Sequence, residues 1–310
     1  MTNLLVGKDI LRTDELTGAE LEQILSTAAR FEHELTEGRR LDTMAGQVMA
    51  AMFFEPSTRT RLSFESAMHR LGGDVITIAD PKTSSAAKGE SMADAVRVVE
   101  GYADVIAMRH PREGSAKEAA DAVRIPVING GDGAGQHPTQ ALLDTYTIKK
   151  EKGTLDGLTV ALTGDLKNGR TVHSLVYLLA RFEMQLLFVS PPQLEMPRGI
   201  MDELRSRGIE IKETEDLAAA MRESDVVYMT RIQKERFDDS AEYDRLKGAY
   251  VLDLPMVEQA KEGVTIMHPL PRVNEIKQEV DAYDGAAYFR QAHNGVPVRM
   301  ALLALVTGRA

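Results

Sequence analysis

The segment Ser57-Thr58-Arg59-Thr60-Arg61 follows the apolar run 47–54 and opens a stretch of helical spacing over residues 57–71. A buried strand that hands over to a helix leaves the first backbone N–H groups of that helix without partners, at the positive end of its dipole. Small hydroxyl residues let an anion approach those groups, and Arg59 adds a planar fork suited to phosphate oxygens. Cations at a helix start oppose the dipole, so two arginines there point to an anion site rather than to a plain cap. Arg109-His110-Pro111 directly follows the apolar run 104–108. In an open parallel sheet ligands bind beyond the carboxyl ends of the strands, and Arg109 lies at such an end, although alone it reads equally as a surface arginine. Gln136-His137-Pro138-Thr139-Gln140 follows the glycine-rich residues 129–135. An imidazole or amide N–H at that second helix start can donate to a carbonyl oxygen or hold an amide group.

The second half of the chain carries three further groups. Residues 164–171, Gly-Asp-Leu-Lys-Asn-Gly-Arg-Thr, sit between a strand and a helix as a nucleotide P-loop does. The lysine that a P-loop needs is Arg170 instead, and no acidic partner strand for magnesium stands out, so a turn for another anion is the better reading. Arg231 and Gln233 follow the run 225–229 and can together hold a carboxylate, with Glu235 near enough to orient an arginine. His268-Pro269-Leu270-Pro271-Arg272 follows the run 264–267; its two prolines stiffen the backbone and remove two N–H donors, which leaves carbonyl oxygens to accept from a ligand. The small polar stretch 83–90, with Ser84 and Lys88, reads by itself as a flexible loop with a solvated cation.

The elements that must position these residues alternate. Helical spacing covers residues 16–35, 57–71, 91–102, 115–123 and 139–152, and short apolar runs at 47–54, 74–78, 104–108 and 127–129 read as strands. A second series of strands is expected at 158–163, 185–189, 209–211, 225–229, 250–253 and 264–267, with a closing apolar helix at 296–307. The fold class is therefore α/β, two doubly wound parallel-sheet domains joined by bridging helices, with the boundary at 151–157. Lys plus Arg is 37 against 47 Asp plus Glu, a net charge of -10, which argues against a general nucleic-acid binder but not against a local arginine cluster. The chain has no cysteine, which excludes disulfides and thiolate chemistry. With 43% hydrophobic and 27% charged residues it is not a disordered chain. The best candidate for a membrane span, residues 296–306, is interrupted by Arg299, and residues 1–10 show no basic-then-apolar leader, so a cytoplasmic protein with no membrane association is expected.

Ser57-Thr58-Arg59-Thr60-Arg61 together with His137-Pro138-Thr139-Gln140 resembles the aspartate/ornithine transcarbamoylase family over nearly the whole chain. The resemblance implies a carbamoyl phosphate-binding domain at 1–150, an aspartate-binding domain at 151–289, and a C-terminal helix at 290–310 that packs back on the first. It implies that carbamoyl phosphate meets Ser57, Thr58, Arg59, Thr60, Arg109, His137 and Gln140 and the carbonyls of Pro269 and Leu270. Arg59, Thr60, Arg109 and His137 would stabilise the reacting groups. L-Aspartate would meet Arg170, Arg231, Gln233 and Lys88, with Ser84 and Lys88 supplied by a neighbouring subunit of a homotrimer. No metal and no cofactor is implied, and regulatory chains that build a larger assembly are possible partners. The ornithine members carry Ser-Met-Gly and His-Cys-Leu-Pro stretches. This chain has His268-Pro269-Leu270-Pro271 and no cysteine, which favours a dicarboxylate acceptor and an early step of pyrimidine synthesis. The competing readings are a carbamoyltransferase for another amine such as ornithine, a catalytically inactive scaffold subunit, and a nucleotide-binding enzyme. The family pattern also predicts a larger polar residue at Gly135 and a different residue within the stretch 252–256, Leu-Asp-Leu-Pro-Met.

Overall fold

The central runs of buried apolar residues become parallel strands, and the amphipathic stretches between strands become helices that return the chain to the same end of the sheet. The computed structural model describes residues 2–78, 89–232, 243, 248 and 250–310. The first series comprises α1 (Gly18–Thr36), β1 (Val48–Phe53), α2 (Thr58–Arg70), β2 (Asp74–Ile78), α3 (Met92–Glu100), β3 (Val105–His110), α4 (Ser115–Ala122), β4 (Val127–Asp132) and α5 (Pro138–Lys152). The second comprises β5 (Leu158–Thr163), α6 (Arg170–Leu179), β6 (Met184–Val189), α7 (Arg198–Ser206), β7 (Glu210–Thr214), α8 (Leu217–Glu223), β8 (Val226–Met229), α9 (Leu254–Glu258), β9 (Thr265–Met267) and α10 (Tyr288–Val306).

The strands form a four-stranded sheet in the order β2-β1-β3-β4 and a five-stranded sheet in the order β7-β6-β5-β8-β9. Every pairing between these strands is parallel. In the first sheet the chain steps outward from β1 to β2, then crosses back to β3; in the second it steps from β5 through β6 to β7, then crosses back to β8. The strand order thus reverses between β1 and β3 and again between β5 and β8, the positions where such sheets open a crevice for ligands.

The two contact-defined units are residues 1–143 with 294–310, and residues 144–293. In the first, Ala50, Met52, Ile106, Met108 and Val127 of the sheet pack on Val96 and Val99 of α3 and on Ala116 and Ala119 of α4. In the second, Ala161, Val189, Val227, Met229 and Ile266 pack on Leu217, Ala220 and Met221 of α8 and on Val257 of α9. Full burial of one such side chain contributes about 1.5–3 kcal/mol, which is why the central strands read as continuous apolar runs. The edge strands β2 and β7 are mostly exposed and carry mixed residues. Among the described residues no helix is long and apolar enough to cross a membrane.

Two strand expectations need correction. The run 250–253 is not a strand. Leu252 makes one parallel bridge to Ile276, and the Asp253 carboxylate then accepts the Met256 N–H at 3.0 Å and caps α9, with Pro255 in the first helical turn where its missing N–H costs nothing. This capping accounts for the Asp-Leu-Pro-Met stretch. The strand expected to end at Asn129 continues to Asp132; Gly130, Gly131 and Asp132 are buried but carry no apolar signal in the sequence.

Helix α1 opens with a capping box: Glu20 N–H donates to Thr17 Oγ1 at 3.2 Å, and Thr17 N–H donates to Glu20 Oε2 at 2.7 Å. Burial pushes the Glu20 carboxyl up, but the Lys8 ammonium and the Thr17 N–H outweigh it and hold the pKa below the ordinary 4.5. A depressed carboxyl contributes stability that is present above its unfolded pKa and is lost as pH falls through the folded value. Acid titration followed by circular dichroism will therefore show wild type losing part of its stability below about pH 4.5, and Glu20→Gln will show a shallower acid limb; parallel limbs would remove Glu20 from the acid response.

Candidate active site

In the first unit the sequence-derived residues fall at the carboxyl ends of three adjacent strands, β1, β3 and β4. Phe53 is in register with Arg109, and the β3–β4 register shifts between Met108 and His110, a bulge that falls at Arg109. Such a bulge re-aims the side chain it carries. The Phe54 N–H donates to the Arg109 carbonyl at 2.8 Å, and Arg109 Nε donates to Glu55 Oε1 at 2.5 Å. Glu55 thus holds the guanidinium at the β1 exit.

Ser57 caps α2 by position, but its hydroxyl makes no capping hydrogen bond, and the first turn of the helix contains no acidic residue. The Ser57 carbonyl accepts the Arg61 N–H at 3.2 Å, so the intervening N–H groups begin the helix unsatisfied by it. Thr58 and Arg59 are exposed, Ser57 is half-buried, and Thr60 is buried. The surrounding protein desolvates the Arg59 guanidinium enough to lower its pKa from the ordinary arginine value, and among the described residues no carboxylate pairs with it. The arrangement is a helix N-terminus with hydroxyls and guanidinium groups around it, suited to an oxyanion.

Gly130 shows how closely the three strand ends approach. A Cβ there would lie 3.0 Å from the Met108 carbonyl oxygen and 3.3 Å from Thr60 Cγ2. His137 is 4% exposed, and its carbonyl accepts the N–H groups of Gln140 and Ala141 at 3.1 and 3.2 Å, so it starts α5 with Pro138 as the first helical residue. The loop before it is folded around the buried Asp132 carboxylate. Oδ1 accepts from Asn129 Nδ2 and the Gln136 N–H, both at 3.0 Å, and Oδ2 accepts the Gly114 N–H at 2.8 Å. Gly135 sits tightly in this fold, since a Cβ would stand 3.0 Å from Asp132 Oδ1 and from Glu113 Cγ, so the larger polar residue that the family pattern predicts would press on both side chains.

His110, by contrast, is committed to its own loop. Its Nδ1 accepts the Arg112 N–H at 3.0 Å and lies 2.9 Å from Ser115 Oγ; burial, with help from Arg112, lowers its pKa and favours the neutral ring that can accept. Beneath α2 and α5 lies Arg299 of α10, 2% exposed, with its guanidinium 5.0 Å from the Phe64 ring and Nη2 donating to Thr139 Oγ1 at 3.2 Å. Glu55, Asp132 and Arg299 were not among the expected site residues. The signal for Arg299 was its isolation in an apolar helix, where a charge persists only with partners.

In the second unit Arg170 begins α6 after β5, and Arg231 follows β8, the strand paired with β5 through Thr163 and Met229. Thr230 ties these strand ends together. Its N–H and hydroxyl both donate to the Thr163 carbonyl at 2.8 Å, and its Oγ1 accepts the Asp165 N–H at 3.0 Å. Gly164 has φ +112°, and a Cβ there would lie 2.5 Å from the Thr230 carbonyl oxygen. The buried Asp165 carboxylate accepts the Asn168 N–H at 2.9 Å and its side-chain amide at 3.1 Å. A P-loop offers its N–H groups to phosphate; here a carboxylate already takes one and places negative charge inside the loop. The segment is therefore no nucleotide cradle, and its cations are the Lys167 and Arg170 side chains.

His268-Pro269-Leu270-Pro271-Arg272 follows β9, the strand next to β8. His268 is buried, and Pro269 and Leu270 are half-buried. Arg272 is taken by Asp281 through two hydrogen bonds and by Tyr288 OH at 2.9 Å. Ser84 and Lys88, and Gln233 with Glu235, lie outside the described residues. Among the described residues no group of three or more His, Asp or Glu side chains is placed to hold a metal ion.

Two family profiles match the chain: "Aspartate/ornithine carbamoyltransferase, carbamoyl-P binding domain" over residues 8–150, and "Aspartate/ornithine carbamoyltransferase, Asp/Orn binding domain" over residues 156–306. The chain is 54% identical over 302 residues to the aspartate carbamoyltransferase catalytic subunit of Thermococcus kodakarensis, covering 97% of each. The solved catalytic subunit of Methanocaldococcus jannaschii aspartate transcarbamoylase is similar at 49% identity and a TM-score of 0.90, with 96% of each chain covered. Aspartate transcarbamoylase from Trypanosoma cruzi, solved with carbamoyl phosphate and aspartate, is similar at 42% identity and a TM-score of 0.93, with 98% of each covered.

The stapled strand ends give a stability prediction. Gly164→Ala places a side chain against backbone in a left-handed conformation and will cost about 3 kcal/mol in urea unfolding. Gly208→Ala, also at positive φ (+80°) but with nothing within 4 Å of the added atom, serves as the control and will cost about 1 kcal/mol. Equal losses would show that close packing on Thr230 adds nothing.

Proposed function

The chain belongs to the aspartate/ornithine carbamoyltransferase family, and from that premise we propose that it transfers the carbamoyl group of carbamoyl phosphate to the amine of L-aspartate. The products are N-carbamoyl-L-aspartate and phosphate, an early step of pyrimidine synthesis. The observation that carries this reading is the gathering of Thr60, Arg109 and His137 at three adjacent strand ends beside an α2 start with no acidic residue. Ser57, Thr58, Arg59 and Thr60 bind the phosphate through hydroxyls, backbone N–H groups and a guanidinium. Thr60, Arg109 and His137 donate to the carbamoyl oxygen. Gln140 and the carbonyls of Pro269 and Leu270 receive the carbamoyl NH₂. Arg170, Arg231 and Gln233, with Lys88, bind the two carboxylates of aspartate.

In the reaction the neutral aspartate amine forms a C–N bond to the carbamoyl carbon. The bond from that carbon to the phosphate oxygen breaks, and one N–H proton leaves with the phosphate. Negative charge grows on the carbonyl oxygen and then on the departing group, where fixed donors act without reorganising. Held in place, the two anionic reactants also lose the entropic cost of meeting. The aspartate acceptor is favoured over ornithine because Arg170 and Arg231 attract carboxylates and repel an ammonium side chain. A homotrimer that shares its sites through Ser84 and Lys88, a cytoplasmic location, and possible regulatory chains complete the proposal.

Purified protein given carbamoyl phosphate and L-aspartate will form carbamoyl aspartate and will not carbamoylate ornithine. Arg109→Ala will lower kcat by about 10²–10³-fold, the usual effect of losing one oxyanion donor. Turnover with ornithine alone, or none with any amine in a folded sample, would overturn the reading. For the shared sites, Arg59→Ala and Lys88→Ala chains, each inactive alone, will regain activity when denatured and renatured together. Absence of rescue in mixed oligomers would count against sharing.

A further inference from the structure

Leu270 has φ +56°, the only positive φ among the described non-glycine residues. A residue with a Cβ adopts that conformation only where its surroundings over-determine it. The peptide unit that precedes this φ is held by a side chain two residues back: the Leu270 N–H donates to His268 Nδ1 at 2.8 Å. An Nδ1 that accepts carries no proton, so the neutral ring holds its proton on Nε2, which lies 2.7 Å from Glu275 Oε1. The other oxygen of Glu275 accepts the N–H groups of Val273 and Asn274, both at 3.1 Å. Burial raises the Glu275 pKa, but His268, through its hydrogen bond and charge, and the N–H groups of Glu275 and Val273 outweigh it and hold it below the ordinary glutamate value. His268 and Glu275 are 2% and 4% exposed. The ring is anchored in turn, since the His268 N–H donates to Gln291 Oε1 at 2.8 Å, Gln291 Nε2 to Asp144 Oδ1 at 2.6 Å, and Tyr228 OH to Asp144 Oδ2 at 2.8 Å.

This arrangement has a geometric consequence. The Leu270 N–H and the Pro269 carbonyl belong to one planar peptide unit and point in opposite directions across it. Fixing the N–H on His268 fixes the aim of the Pro269 carbonyl, and the held φ at Leu270 sets the angle of the next carbonyl along the chain. We propose that His268 and Glu275 are a positioning pair, which orients the Pro269 and Leu270 carbonyl oxygens to receive the NH₂ group of carbamoyl phosphate. The proposal rests on the site reading given above and adds to it the residues that aim the amide acceptors.

The test uses the full-length enzyme and three variants, with folding checked by circular dichroism and thermal unfolding. His268→Ala removes the tether. His268→Asn restores an acceptor for the N–H two residues on, in the manner of an Asx turn, without reaching Glu275. Glu275→Gln keeps an acceptor for the ring but cannot also serve both backbone N–H groups. Calorimetric titration is made with carbamoyl phosphate and with inorganic phosphate, which has no amide. His268→Ala is expected to weaken carbamoyl phosphate by about tenfold and to lower kcat by about 100-fold, the scale of a misplacement near 1 Å, while inorganic phosphate binds as in wild type. His268→Asn is expected to recover at least about tenfold of the lost kcat, and Glu275→Gln to fall between wild type and His268→Ala.

Wild-type affinity and kcat in His268→Ala would overturn the proposal. So would equal losses for both ligands, or a His268→Asn variant no better than His268→Ala. If His268→Ala does not fold, Glu275→Gln with the same two ligands decides: a loss confined to carbamoyl phosphate supports the pair, and no loss refutes it. A wild-type protein that neither binds nor uses carbamoyl phosphate would refute the underlying site reading instead. An active wild type with indifferent variants would refute the positioning pair alone.

Discussion

A cation at the start of a helix meets the helix's own positive end, and the first unit is organised around that conflict. Helix α2 begins with Arg59 and Arg61, has no acidic residue in its first turn, and does not use the Ser57 hydroxyl as a cap. Each misplaced charge costs a few tenths to about 1 kcal/mol, and an anion at the same place reverses the sign of every one of these terms. Arg109 resolves its share differently, by pairing with Glu55 at the β1 exit. On the proposed reading a phosphate must offer that guanidinium more than Glu55 does, whereas at Arg59 and the helix N–H groups it would displace no carboxylate among the described residues. The order of favourable contacts is therefore set by charge, with the helix start first and Arg109 second.

The loops that carry these groups share one construction. At the ends of β4, β5 and β9, the buried carboxylates of Asp132, Asp165 and Glu275 each accept backbone N–H groups of their own loop. A buried carboxylate is tolerated only when its oxygens are filled, and backbone N–H groups fill them without adding a compensating cation. Part of the acidic excess of the chain therefore goes into closing loops. Because the loops are closed from inside, the residues that bear cations stand on fixed backbone, and a guanidinium fork gains from such fixity more than a flexible ammonium does.

The sheets are legible because their central strands are buried: the apolar runs 158–163 and 185–189 coincide with β5 and β6. The strand-like pattern at 250–253 has a local cause, since Tyr250 and Leu252 alternate like a strand while Asp253, the next residue, is a helix cap. The cationic residues of the candidate site stand out in the sequence because their type conflicts with their position, as Arg59 does at a helix start. Glu55, Asp132 and the His268–Glu275 pair do not, because each matters through a partner that the fold supplies. Glu55 lies 54 residues from Arg109 along the chain, and nothing in either local sequence announces the other.

The two arginine sets differ in what surrounds them, and the difference matches two kinds of anion. A phosphate offers several oxygens around one centre, and the α2 start meets it with backbone N–H groups and hydroxyls spread over consecutive residues. The loop after β5 has the same strand-to-helix form, yet Asp165 has turned its backbone inward and Gly169 leaves no room there, since a Cβ would lie 2.5 Å from the Asp165 carbonyl oxygen. Such a loop recognises an anion through side chains rather than backbone, with Arg170 at the start of α6. Arg272 is held by Asp281 and Tyr288, and Arg170 and Arg231 stand at the ends of β5 and β8, which are paired in this sheet. Two separate guanidinium groups suit two separate carboxylates, and a planar fork matches a planar carboxylate better than it matches an ammonium or a hydroxyl. The distinction between backbone-held and side-chain-held anions is thus made by one buried aspartate, and it is the physical ground on which a dicarboxylate acceptor fits this sheet.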